Sequence, residues 1–210
     1  DQNGRYAFGN QPSISAWNLA SLAGCLIAFI DKDSDKANEL ATEVLDNFSV
    51  ETNQRILNLM CQKIGLDGSS KENQEILRRL LKIMMDNEAD YTITFRSLSK
   101  ILENDTQKFL SQFKQKAEIN IWIRDWQNAI EKENKEKSLL KKELDAINPV
   151  FIPRNHLIQK AIDASYEGNN DLMKEMINVS KTPFDIKLEN SIYAQAPSKD
   201  QRVSQTFCGT

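Results

Sequence analysis

The strongest constraint on the fold of this chain is a succession of apolar stripes at helical spacing, with no strand-like alternation between them. Leu19, Leu22, Ala23, Leu26 and Ile30 share one helical face, behind Pro12 and Ser13 as start signals. An acidic cluster from Asp31 to Asp35 caps a second stripe of Ala37, Leu40, Ala41, Val44, Leu45 and Phe48. Ile56, Leu59, Met60 and Ile64 continue the pattern up to Gly65, a natural C-cap. Ser69 with Glu72 fits a capping box for the next face, Ile76, Leu77, Leu80, Leu81 and Met84. Tyr91, Phe95, Leu98 and Leu102 form another, broken at Asn104-Asp105.

The longest helix is predicted from about Glu118 to Ile147. Its first half carries Ile119, Trp122, Ile123, Trp126 and Ile130 on one side. Its second half is nearly all charge, with Glu131–Lys135 and Glu133–Lys137 as supporting acid-before-base pairs. Asn148-Pro149 ends it, because a residue before proline avoids the helical region. Pro153 opens a helix with Leu157, Ile158, Ala161 and Ile162, closed at Gly168, and a short last helix uses Leu172, Met173, Met176 and Ile177. The expected architecture is all-α, with a helical domain over 13–182. A leading segment, 1–12, precedes it. An extended polar tail, 183–210, follows, with Tyr193, Pro197 and Phe207 as isolated anchors.

Composition narrows the function classes. A length of 210 residues suffices for a real core. The formal net charge of -3 offers no electrostatic footprint for nucleic acid or anionic lipid. The longest apolar candidate, Leu22 to Ile30, is far short of a membrane span. Cys25, Cys61 and Cys208 are few, odd in number and far apart, which points to a reducing compartment. The chain opens at Asp1 without an initiator methionine and enters its first helix without a leader, so it reads as a piece of a longer protein.

Chemistry is sparse. His156 is the sole histidine, which excludes a histidine-rich metal site, and its place in the first turn of a helix suits a structural role. No glycine-rich loop follows a strand. Asp31/Asp33/Asp35 and Glu88/Asp90 stand at helix starts, where acids serve capping. Trp122 and Trp126, one turn apart in an isoleucine stripe, read as core, and Cys25 and Cys61 as buried thiols. Two features stand apart. Arg5-Tyr6 sits in a glycine-flanked segment from which an arginine can reach a phosphate or a carboxylate. Cys208, third from the end, is either an exposed redox-active thiol or an incidental terminal residue.

Four stretches carry a resemblance: GRYAFGNQPSISAWNLASLA near the start, DYTITFRSL from Asp90, NPVFIPRNHLIQKAIDA from Asn148, and FCGT at the end. Their order and spacing resemble the C-terminal part of the selenoprotein O family. The resemblance implies a kinase-like pseudokinase that transfers AMP from ATP, with Mg²⁺, to hydroxyl side chains of proteins. It implies that the nucleotide site lies upstream of Asp1, leaving no catalytic residue and no bound cofactor here. Asp1, Arg5 and Tyr6 would then end an activation-loop-like segment beside the active site. Cys208 matches the terminal selenocysteine or cysteine that gates the enzyme by redox pairing. The implied partners are the missing kinase-like region and protein substrates, without nucleic acid or membrane. The implied compartment is the bacterial cytoplasm, or the mitochondrion in a eukaryote. The competing reading is a stand-alone helical interaction module.

Overall fold

Residue 4 and residues 7–202 are described by a computed structural model, and among them every regular element is helical. After a 3-10 turn at Phe8–Asn10 come α1 (Gln11–Ile30), α2 (Ser34–Gln62), α3 (Lys71–Asn87), α4 (Tyr91–Ile101) and the short α5 (Gln107–Leu110). Then follow α6 (Lys116–Lys132), α7 (Lys137–Ile147), α8 (Asn155–Tyr166) and α9 (Asp171–Val179). The all-α expectation holds. The described residues divide into two compact units, one ending at Leu57 and one beginning at Asn58, with the boundary inside α2.

In the first unit, Asp33 stands before α2 and accepts from the backbone N–H of Asp35 at 2.9 Å, the capping role expected of this cluster. The apolar faces of α1 and α2 form an open cleft of about 360 Å³ lined by Leu19, Leu22, Leu26, Leu40, Val44 and Phe48 among others. Trp17, Leu22, Phe29 and Val44 remain exposed. The expectation that nothing approaches a membrane span is corrected. The helical stretch Phe8–Ile30 has 23 residues and contains an 18-residue window with a mean hydropathy of 1.7, long and apolar enough by length and composition to cross a bilayer. Small residues extend the charge-free run well before Leu22, and a count of large apolar residues misses them.

The second unit is built on helix pairs: α3 with α6, α4 with α7 and α5, and α8 with α9. Its centre is aromatic. Trp122 and Trp126 are fully buried and stack at 5.8 Å, with Phe109 following at 6.0 Å from Trp122. Each indole N–H has a carbonyl to donate to, Trp122 to Ile76 at 2.8 Å and Trp126 to Ile64 at 2.7 Å. Both tryptophans are core, as their isoleucine stripe predicts.

Gly65 ends the α2 region in the left-handed conformation, φ +76°. Its N–H bonds to Gln62 O while Leu66 N–H reaches back to Cys61 O, the paired bonds of a Schellman cap. The same pairing closes α3 at Glu88, φ +54°, and α4 at Asn104, φ +64°, without glycine. The next cap is Ser70, not Ser69: the Ser70 hydroxyl accepts from Asn73 N–H, while Ser69 bonds to Asp67.

The single long helix expected over 118–147 is two helices. The chain turns at 133–136 with Asn134 at φ +52°. Glu133 leaves its expected lysine and accepts from Asn73 Nδ2 at 2.8 Å and Asp67 N–H at 3.2 Å, while Lys135 pairs with Glu143. The turn lets α7 pack on α4, with Leu140 and Leu144 fully buried at the end of a run that is nearly all charge. The expected tail is likewise corrected over 183–202. Pro183 O accepts from Val150 and Phe151 N–H, Tyr193 packs edge-on against Phe151, and Glu189 bridges Lys100 and Lys108. Phe207 lies outside the described residues.

Candidate functional site

Two of the stretches singled out in the sequence, DYTITFRSL and NPVFIPRNH, meet in the second unit. Asp90 precedes α4 and accepts from Ile93 N–H at 2.9 Å, serving as its N-cap. The same carboxylate receives Arg154 in bidentate fashion, Nη1 at 2.6 Å and Nη2 at 3.0 Å. One turn into α4, the buried Arg96 donates to the backbone oxygens of Asp145 and Asn148, at 2.8 and 3.0 Å. Asn148 in turn donates to Lys63 O at 2.9 Å. Pro149 and Pro153 hold the connecting segment extended, and α8 begins directly after Arg154.

Beside this junction opens a cleft of about 670 Å³. Its walls include Glu88, Asp90, Gln112, Arg154, His156 and Arg202. Burial pushes the Asp90 carboxyl up, but the Arg154 hydrogen bonds, the Ile93 N–H and the arginine charge outweigh it and hold Asp90 below its usual range. Glu88 is held down by Lys114, at 3.1 Å, with a further contribution from Arg202. His156 is buried, and desolvation with the charges of Arg154 and Lys160 lowers its pKa. Burial raises the Tyr91 hydroxyl to about 12. Arg154 Nε and His156 Nδ1 are both buried and have no hydrogen-bond partner among the described residues. A cleft of this size, with converging donors, is shaped for a small polar ligand.

The residues expected to flank an active site, Asp1, Arg5 and Tyr6, and the redox candidate Cys208 lie outside the described residues. Cys61 is fully buried, whereas Cys25 is exposed on α1, a correction to the reading of both as core thiols. That reading treated the α1 stripe as facing a core, and α1 has no buried residue. Among the described residues no three His, Cys, Asp or Glu side chains gather as a metal site. The acids of the cleft are also unsuited to Mg²⁺, since Asp90 and Glu88 each already hold a cationic side chain. The sequence marks Asp90 as a helix-capping acid, a role the structure bears out, whereas Arg154 stands out only as part of a quoted stretch. The pairing of a helix-capping Asp with an Arg in a proline-flanked segment was the available signal, but nothing local gives their contact across 64 positions.

The sequence profile described as "Protein adenylyltransferase SelO" matches residues 1–181. The chain belongs to the SelO family. It is 39% identical over 211 aligned residues to "Protein nucleotidyltransferase YdiU" of Maridesulfovibrio salexigens. Identity is 37% to the protein of that name from Agrobacterium fabrum and 34% to that from Bacillus mycoides. In these alignments all of this chain is covered, but only 42–43% of each relative. The chain thus spans less than half the length of the SelO relatives it matches.

Proposed function

We propose that the full-length protein is a SelO-type adenylyltransferase that moves AMP from ATP, with Mg²⁺, onto Ser, Thr or Tyr hydroxyls of proteins in the cytoplasm. In this reading the residues described here are its helical C-terminal support, and the nucleotide site lies in the part of the relatives that this chain does not span. The observation that carries the proposal is the family match over 1–181, joined to relatives named protein nucleotidyltransferases. This chain alone therefore neither transfers AMP nor holds ATP tightly. Cys208 acts as a redox residue in the complete enzyme.

The open α1–α2 cleft supports the same reading: an apolar surface of this kind calls for a cover, and the remaining part of the protein is the occupant proposed. Labelled ATP with Mg²⁺ and a generic protein acceptor is the direct test. Label on the acceptor with the full-length protein and none with this chain is the expected result; transfer by this chain alone overturns the assignment. Cys25 gives an orthogonal check, in a Cys208→Ser background. Its thiol is exposed here, and its labelling slows in the full-length protein if the α1 face is covered there. Equal labelling rates, together with no AMP transfer by the full-length protein, favour the second reading. In that reading the same cleft makes the chain an interaction module.

A further inference from the structure

We propose that the cleft at the start of α8 binds a small phosphorylated metabolite, its phosphate seated on the first turn of α8 and on Arg202. The proposal rests on this unit's own geometry and stands whether or not the adenylyltransferase reading does.

Three features of the cleft converge. The first is the opening of α8, a helix of 12 residues with no side-chain cap at its N-terminus. The backbone N–H groups of Asn155 and His156 therefore find no partner within the helix, and the helix dipole adds positive potential where they point. Both residues line the cleft. The second feature is a pair of buried side chains. Arg154 and His156 are 7% and 8% exposed, both line the same cleft, and each keeps a polar nitrogen without a partner among the described residues. A buried, unpaired donor is costly, and such a group in a native site marks where a ligand or ordered polar group is expected.

The third feature is the balance of charge. The acids facing this space are already engaged: Asp90 of the α4 cap by Arg154, and Glu88 at the end of α3 by Lys114. Asp200, in the C-terminal segment, bonds to Ser198 and feels Lys160 of α8. Arg202, from the same segment, makes only a long 3.9 Å contact with Glu88 and is half-exposed. A dianion entering here meets Arg202, His156 and the α8 dipole without displacing a strong ion pair. Phosphate suits the arrangement because its oxygens accept from several directions at once, from backbone N–H groups and from a guanidinium. The volume, about 670 Å³, exceeds what a phosphate alone fills. Ile152, Pro153, Ala196 and Pro197 offer apolar wall for an organic remainder.

His156 is the sole histidine of the chain, so its imidazole resonances in the NMR spectrum of the 210-residue protein are a single-site reporter. Titration with inorganic phosphate and with ribose 5-phosphate, at constant ionic strength against chloride, is the experiment. The expected result is a saturable shift of the His156 signals and a rise in its pKa on binding, since the bound anion offsets Arg154 and Lys160. Ribose 5-phosphate saturates at lower concentration than phosphate. Arg202→Gln leaves the fold intact, because the side chain is half-exposed, and weakens both ligands about tenfold, the loss expected for one charge-assisted hydrogen bond. A shift that chloride reproduces, or that Arg202→Gln leaves unchanged, overturns the site. Equal saturation by the two ligands overturns the assignment of the remaining volume to an organic moiety.

Discussion

Arg154 grips both carboxylate oxygens of Asp90, at 2.6 and 3.0 Å, and by doing so ties the first residue before α8 to the first residue before α4. Neither side chain is more than 15% exposed. Breaking such a pair from one side leaves a buried charge unmatched, so Arg154→Ala is expected to cost about 3–5 kcal/mol in chemical denaturation. Asp90→Asn keeps the N-cap acceptor and loses the charge, and it destabilises less. A double-mutant cycle with a coupling near zero would contradict this account.

The same pair makes a prediction about acid. Asp90 has a folded-state pKa below its unfolded one, so its contribution is complete above the unfolded value and is lost as pH falls through the folded one. Unfolding free energy measured downward from pH 5 falls more steeply in the wild type than in Asp90→Asn. Identical slopes would show that the carboxylate is not the group being titrated.

Gly65 carries two demands at once. Its φ of +76° suits glycine, and a Cβ built there would stand 2.7 Å from Leu140 Cδ1. Gly65→Ala is expected to cost about 1–3 kcal/mol from the backbone conformation alone, with the contact adding to it. Pairing it with Leu140→Ala removes the contact and leaves the conformational cost, so the two changes combine less than additively. Full additivity would place Leu140 out of reach.

Trp126 donates to the Ile64 carbonyl inside the core, 2.7 Å away. Trp126→Phe keeps most of the apolar volume and strands that acceptor, for an expected loss of about 1–3 kcal/mol of stability, read as a lower denaturant midpoint. An unchanged midpoint would mean that another donor replaces the indole.

Glu189 is the fastening point of the C-terminal segment. Burial raises its carboxyl pKa, but the hydrogen bonds and charges of Lys100 and Lys108 prevail and lower it. Glu189→Gln is expected to speed amide exchange across 183–202 while the α3–α6 core keeps its protection. Uniform protection in both proteins would assign the docking to Tyr193 and Ala194 instead.

Much of the helical order was legible because each stripe repeats at the helical period. Ala37, Leu77, Leu80, Leu98 and Trp122 are all buried, as their faces predict. The missed break of the expected 118–147 helix has a local cause. A helix ends where a residue accepts a left-handed conformation, and glycine marks only some of those places. Asn134 turns the chain in the middle of a charged run, and Glu88 and Asn104 close helices without a glycine. The polar stretch after Pro183 gave no periodic signal, because three short 3-10 turns and a buried carboxylate replace an apolar face. The cleft was least legible. Its walls come from residues more than a hundred positions apart, and the contact between Asp90 and Arg154 is tertiary.

The turn between α6 and α7 has a practical consequence. Asn134, Lys135 and Glu136 are solvent-facing, stand in the turn between two helices and take no part in the cleft. A fluorophore, an epitope or a short peptide loop grafted there leaves both helices in place, because α6 is held by α3 and α7 by α4. The turn hidden in the charged run is thus a ready port for labelling the protein without disturbing its chemistry.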